Sequence, residues 1–289
     1  MAKIKFLTDS AADIPQKYVD QYGIHVIPFP IALEDREILD GVDYSQEEFY
    51  ALLTSLDKIP THAQLTAFLF EEEYAKAWQE GYDALIYTCI NFKGSNTGNN
   101  AIQAKDLFFQ DHPEAEGKFK IHVIDSKSYT YNYGYAVVEA AKRNQAENTS
   151  AAEAVAQIQD WLDHSKILFT MYDLKFARKS GRVSAAAAIM GGAMGIRPIM
   201  SFPNGDSKVL AKPRGDKNVI PNMIKLMKED MEPGSPYIVI HAAMPQHNEE
   251  ISKACREAFG YPPVEEYLIG GVIAINAGPN VVGVIYRTK

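Results

Sequence analysis

The sequence predicts an α/β fold built as two domains, and three observations predict it. Short apolar runs alternate with amphipathic stretches along the first half of the chain. A second series of apolar runs starts after Ser165 and contains a hairpin signal at Pro203-Asn204-Gly205. The 289 residues, 46% of them hydrophobic, supply enough apolar surface for one large core or two ordinary ones.

In chain order, residues 3–8 and 25–33 read as strands, 45–58 and 70–81 carry the spacing of helices, and 83–90 returns to a strand. A helix over 98–109, a strand over 119–125 and an alanine-rich helix over 150–164 complete this part. Helices between strands imply mostly parallel pairing. The boundary falls near 165, giving an N-terminal domain of residues 1–165 and a C-terminal domain of 166–289. In the latter, 166–172, 196–202, 208–213, 237–243 and 281–286 read as strands, and the hairpin makes the sheet mixed. A cleft between two such domains is the natural place for a ligand.

Composition narrows the function. The chain has no run of about 18 apolar residues, and its opening MAKIKFLTDS enters a strand pattern at once, so neither a membrane span nor a signal peptide is expected. A soluble, cytoplasmic protein follows. Cys89 and Cys255 stand alone, without metal spacing, and read as buried reduced thiols. A net charge of −8 argues against a nucleic-acid partner, which needs clustered Lys and Arg.

Three strand ends carry polar loops. Thr8-Asp9-Ser10, followed by Asp13 and Pro15, suits a turn with a helix cap as well as a recognition loop. The strand over 83–90 runs into Asn91–Asn100, dense in hydroxyls, amides and backbone N–H groups at a helix start that can hold an anion. It is neither a Walker A loop nor a GxSxG elbow. Asp125-Ser126-Lys127-Ser128 alone reads as an ordinary cap. Further on, KSGRVS at 179–184 opens a nearly uncharged stretch, AAAAIMGGAMG, closed by IRPIM. Its small residues leave room, and Met190, Met194 and Met200 are adaptable enough to line an apolar pocket, although the same composition suits a close-packed core helix.

In this order the motifs resemble those of the DegV family, bacterial fatty-acid-binding proteins that act as acyl-carrier subunits of fatty acid kinase. The likeness spans nearly the whole chain: TDSAADIP at 8–15, Ser95 at the serine of the family's SGTYQSA loop, IDS at 124–126, KSGRVS, IRPIM at 196–200 with Arg214 downstream, and GPNVVG at 278–283. The resemblance implies two α/β domains, an apolar tunnel at their interface for the tail of a long-chain fatty acid such as palmitate or stearate, and a carboxylate held by Thr61, His62, Ser95, Thr97 and Asn276. Met190, Met194, Ile196 and Ile199 would line the acyl pocket. It also implies no cofactor, no catalysis by the chain itself, a role in phospholipid metabolism and a separate ATP-dependent kinase as partner.

Departures fall at the headgroup. Pro60-Thr61-His62-Ala63-Gln64 places His62 and Ala63 on the family's threonine and serine, and Asn276 stands where the family carries a histidine before its GPG. Asn96 and Gly98 replace a glycine and a tyrosine of the serine loop. His62 and Asn276 thus read as an exchange of roles that keeps one imidazole and one neutral donor beside Ser95. Each buried methylene contributes about 0.8 kcal/mol, so about 16 of them outweigh the headgroup in affinity. Positive charge gathers at Arg182, Lys208, Lys212, Arg214 and Lys217, and Arg182 and Arg214 match family arginines at the ligand mouth or kinase-facing surface.

Other classes are defined by the same residues. Ser95 or Ser10 with His62 as base would make an acyl hydrolase. His241, His247, Glu249 and Glu250 would make a metal site of poor spacing. A lipid-sensing regulator without a kinase would share the pocket.

Overall fold

The computed structural model describes residues 2–187 and 195–289, so Met190 and Met194 lie outside the described residues. The chain divides into two compact units, Met1–Val42 with His62–Asp163 and Asp43–Thr61 with His164–Lys289. Sequence order groups 43–61 with 1–165, whereas compactness groups it with the later residues.

The elements of the first part are β1 (Ile4–Asp9), α1 (Gln16–Tyr22), β2 (His25–Ile27), β3 (Pro30–Ala32), β4 (Glu37–Leu39), α2 (Gln46–Ser55) and β5 (Thr61–His62). They continue with α3 (Ala67–Gln79), β6 (Ala84–Cys89), α4 (Thr97–Asp111), β7 (Lys120–Asp125), α5 (Tyr131–Glu147) and α6 (Ala151–His164). Every residue of β1 and β6 is buried, which is why these strands read as unbroken apolar runs: a parallel sheet is covered on both faces. The run 25–33 is broken into β2 and β3 because Pro28 has no N–H to give a ladder.

The first sheet has four parallel strands ordered β2-β1-β6-β7. Its register pairs Thr8 with Thr88 and Cys89 with Asp125, so β1, β6 and β7 end at one level. From β1 the chain steps one way to β2 and then returns to the other side for β6. Such a reversal opens a crevice at the carboxyl ends of the two strands, the usual ligand position in open α/β sheets. The small strands form a separate sheet ordered β4-β3-β5.

The sequence reading missed α5. Tyr131–Gly134 and Ala136–Val138 are all buried, so no polar face marks the first two turns of the helix, and Gly134 breaks the pattern. Glycine is required there because a Cβ would overlap the carbonyl oxygen of Ala12. In α2, by contrast, the capping box is explicit: Glu48 N donates to Ser45 Oγ at 3.2 Å and Ser45 N to Glu48 Oε2 at 2.9 Å.

The second part holds β8 (Ser165–Met171), α7 (Lys175–Ser180), α8 (Ser184–Ala187), β9 (Ile199–Ser201), β10 (Lys208–Ala211) and α9 (Val219–Asp230). It ends with β11 (Tyr237–His241), α10 (Pro245–Phe259), β12 (Glu265–Leu268), α11 (Gly271–Ala277) and β13 (Val281–Arg287). Its mixed sheet of six strands is ordered β10-β9-β8-β13-β11-β12, and β11–β12 is its parallel pair. The β9–β10 hairpin lies at the predicted turn, with Asn204 and Gly205 in left-handed conformations, φ 51° and 81°. Ile199 is fully buried in the core of this unit, among Leu168, Met223, Val239 and Val284. Ile196 is half-buried and forms an isolated antiparallel bridge with Arg214.

Candidate headgroup site

The crevice at β1 and β6 is built by strand-end side chains. Thr8 Oγ1 donates to Thr88 O at 2.8 Å, tying the two strands together just before they end. Asp9, fully buried, accepts from Tyr133 OH at 2.6 Å on Oδ1, and from Tyr87 OH and Ile90 N at 3.0 Å each on Oδ2. On the far side of β6, Asp125 Oδ1 accepts from Phe92 N at 3.1 Å and Lys127 N at 2.9 Å. Between them Asn91 N donates to Ser128 O at 3.0 Å. Desolvation outweighs the hydrogen bonds at Asp9 and pushes its carboxyl up to about 6.

This frame carries Ser95 into α4. Ser95 Oγ donates to Thr97 Oγ1 at 2.9 Å and accepts from Thr97 N at 3.3 Å. Thr97 Oγ1 accepts a second bond from Leu65 N at 3.2 Å, and Asn100 Nδ2 donates to Leu65 O at 2.7 Å. Leu65 thereby fastens the His62–Gln64 segment beside the serine loop. In that segment Ala63 N donates to Pro30 O at 3.1 Å, and the half-buried His62 ring meets Phe29 edge-on with centroids 5.9 Å apart. Phe29 N is held by Ser10 Oγ at 3.0 Å. The structure thus ties Ser95 and Thr97 directly, reaches His62 through Leu65, and leaves Thr61 exposed.

Neither candidate nucleophile has the geometry of a triad. Ser10 Oγ donates to Asp40 Oδ2 at 2.7 Å and Ser95 Oγ to Thr97, so neither proton is given to an imidazole.

In the second unit, Asn276 on α11 gives one N–H of its amide to Val272 O at 2.7 Å. The following Gly278 has φ 86°, and a Cβ there would come within 2.8 Å of the Phe176 ring. Arg182 and Arg214 are exposed, with Arg182 Nη1 donating to Ser180 O at 2.7 Å. A cluster the sequence reading did not single out joins His241, Ser252 and Glu266: His241 Nε2 is 3.0 Å from Ser252 Oγ, which donates to Glu266 Oε2 at 2.9 Å. The serine proton points to the carboxylate and the side chain is buried, which is a core relay and not an activated nucleophile. No group of three His, Cys, Asp or Glu among the described residues is arranged to hold a metal, and no helix among them is long and apolar enough to cross a membrane.

Residues 3–289 match the family described as "Uncharacterised protein, DegV family". The chain belongs to the DegV family. A DegV domain-containing protein of Caldanaerobacter subterraneus subsp. tengcongensis is 31% identical over 295 residues, with 100% of each chain covered. Among solved structures, this DegV chain is similar to a Thermotoga maritima protein described as revealing a fatty acid binding function, at 25% identity, TM-score 0.81 and 100% coverage of both chains. A stearic acid-binding protein from Eubacterium ventriosum is 22% identical with a TM-score of 0.86, covering 99% of this chain and 98% of that one. The DegV neighbours share the α/β fold, parallel sheet first and mixed sheet second.

Proposed function

We propose that this protein binds a long-chain fatty acid such as palmitate or stearate and presents its carboxylate to a separate ATP-dependent fatty acid kinase. One observation carries the headgroup assignment. Thr97 Oγ1 accepts from both Ser95 Oγ and Leu65 N, so its own O–H proton is left for an external acceptor at the carboxyl end of β6. A carboxylate is acceptor-only and fits that demand. Thr61, His62, Ser95 and Asn276 complete the proposed set of headgroup contacts, with Met190, Met194, Ile196 and Ile199 against the tail. Residues 1–165 then carry the headgroup loops and 166–289 the acyl pocket. The likeness to the Thermotoga maritima fatty-acid-binding protein supports the ligand class.

The chain's role is binding and presentation, in the cytoplasm, without a cofactor. Arg182 and Arg214, exposed on a chain of net charge −8, are the proposed contacts to the kinase or its phosphate.

Organic extraction of the purified, denatured protein followed by mass spectrometry tests this reading. A stoichiometric long-chain fatty acid, with retention lost in Ser95→Ala, supports it. An empty protein that also refuses added palmitate overturns it. Arg214→Ala should slow phosphorylation by the kinase while leaving palmitate retention intact; loss of retention would place Arg214 against the ligand instead.

A further inference from the structure

Asp9 touches none of the proposed headgroup contacts, yet it controls the peptide that leads to them. Where β6 ends, three successive N–H groups lose their ladder partners and each finds another: Ile90 on Asp9, Asn91 on Ser128 O, Phe92 on Asp125. Ser95 in turn hangs on this turn, because its N–H donates to Asn91 O at 3.1 Å and that of Gly94 to the same oxygen at 2.9 Å. A shift of the peptide at 90–91 is therefore carried to Ser95, and from Ser95 Oγ to Thr97.

We propose that Asp9 is a positioning residue for the headgroup: its buried carboxylate anchors the first N–H of the serine loop, and losing its negative charge displaces Ser95 and Thr97 together. The inference rests on the reading that these two hydroxyls hold the carboxylate. The groups facing Asp9 are Tyr87 and Cys89 from β6 and Tyr133 from α5, with the Ile90 and Ala11 backbone N–H groups. All are neutral donors. A charge held only by donors makes the grip on Ile90 depend on that charge, since a charge-assisted bond is about twice as strong as a neutral one. Protonation also obliges one of the donors to turn and accept. With its carboxyl pushed up to about 6, Asp9 changes charge in a range where a carboxylate in water stays ionised.

Amide chemical shifts of Ile90, Ser95 and Thr97 in the ligand-free protein, followed by NMR from about pH 5 to about pH 8, decide the coupling. All three should move with one midpoint, and Asp9→Asn should flatten all three. Movement of Ile90 alone, or titration of Ser95 and Thr97 that persists in Asp9→Asn, overturns the proposal. Palmitate affinity measured over the same range should weaken roughly tenfold at the acid end in the wild type and lose that dependence in Asp9→Asn. If Ser95→Ala abolishes palmitate retention while Asp9→Asn keeps both wild-type affinity and pH profile, the positioning role falls and the headgroup reading stands. If the wild type itself does not retain palmitate, the headgroup reading falls, and the amide titration still decides whether Asp9 moves the loop.

Discussion

Gly98 shows how a departure from the family motif is answered locally. A Cβ at this position would lie inside the Phe92 ring, so the glycine that replaces the family's tyrosine makes room for the phenylalanine folded over the start of α4. Gly98→Ala should destabilise the protein by about 1–3 kcal/mol through overpacking, and adding Phe92→Ala should recover part of that loss in denaturant titrations. Strict additivity of the two changes would exclude the contact as the cause. Asp9 gives a second prediction. Its folded carboxyl is raised from 3.8 to about 6, so the folded protein holds the proton more tightly than the unfolded chain in that interval. Its contribution is present below the unfolded value and is lost as pH rises through the folded one, by about 3 kcal/mol in total. Asp9→Asn should therefore gain stability relative to wild type as pH climbs through the same window. A constant difference would show that Asp9 is not titrating there.

At the scale of elements, legibility followed the strength of the local sequence pattern. The capping box of α2 and the turn of the β9–β10 hairpin are written in local residue types, so they can be read without tertiary knowledge. The same holds for β1 and β6, whose unbroken apolar runs mark covered strands. Helix α5 was not readable, because burial on almost every side over residues 131–141 removes the polar stripe by which a helix is recognised. The loop after β6 was readable as an anion site, but its clamp was not: Asp125 looked like an ordinary cap until the register placed it level with Cys89 and within reach of Phe92 N. Asp125→Asn should accordingly weaken palmitate retention while leaving the helical content seen by circular dichroism unchanged; a loss of helix content would mark Asp125 as a folding determinant only.

For the whole molecule, the proposed ligand should act as a stabiliser. Palmitate at about a hundredfold excess over its dissociation constant should add about 2.7 kcal/mol and raise the unfolding midpoint by several degrees. An unchanged midpoint would count against specific binding. Compactness draws Asp43–Thr61 into the second unit, where α2 packs on α11, so this excursion of the early sequence supports the helix that carries Asn276.

By itself, the sequence determined the α/β class, the order of most strands, the absence of cysteine or metal spacing and, through the sequence order of its motifs, the family. Those properties depend on residue types and short spacings, which survive without knowledge of packing. Tertiary structure alone decided that Thr8-Asp9-Ser10 is a framework for two distant loops, that Ser10 is committed to Asp40, and that Leu65 fastens the His62 segment beside Thr97. The partners in those bonds are separated by 19 to 81 positions in the chain, and no local pattern records contacts that only the parallel pairing of β1 with β6 and the return of the loops onto their ends bring about.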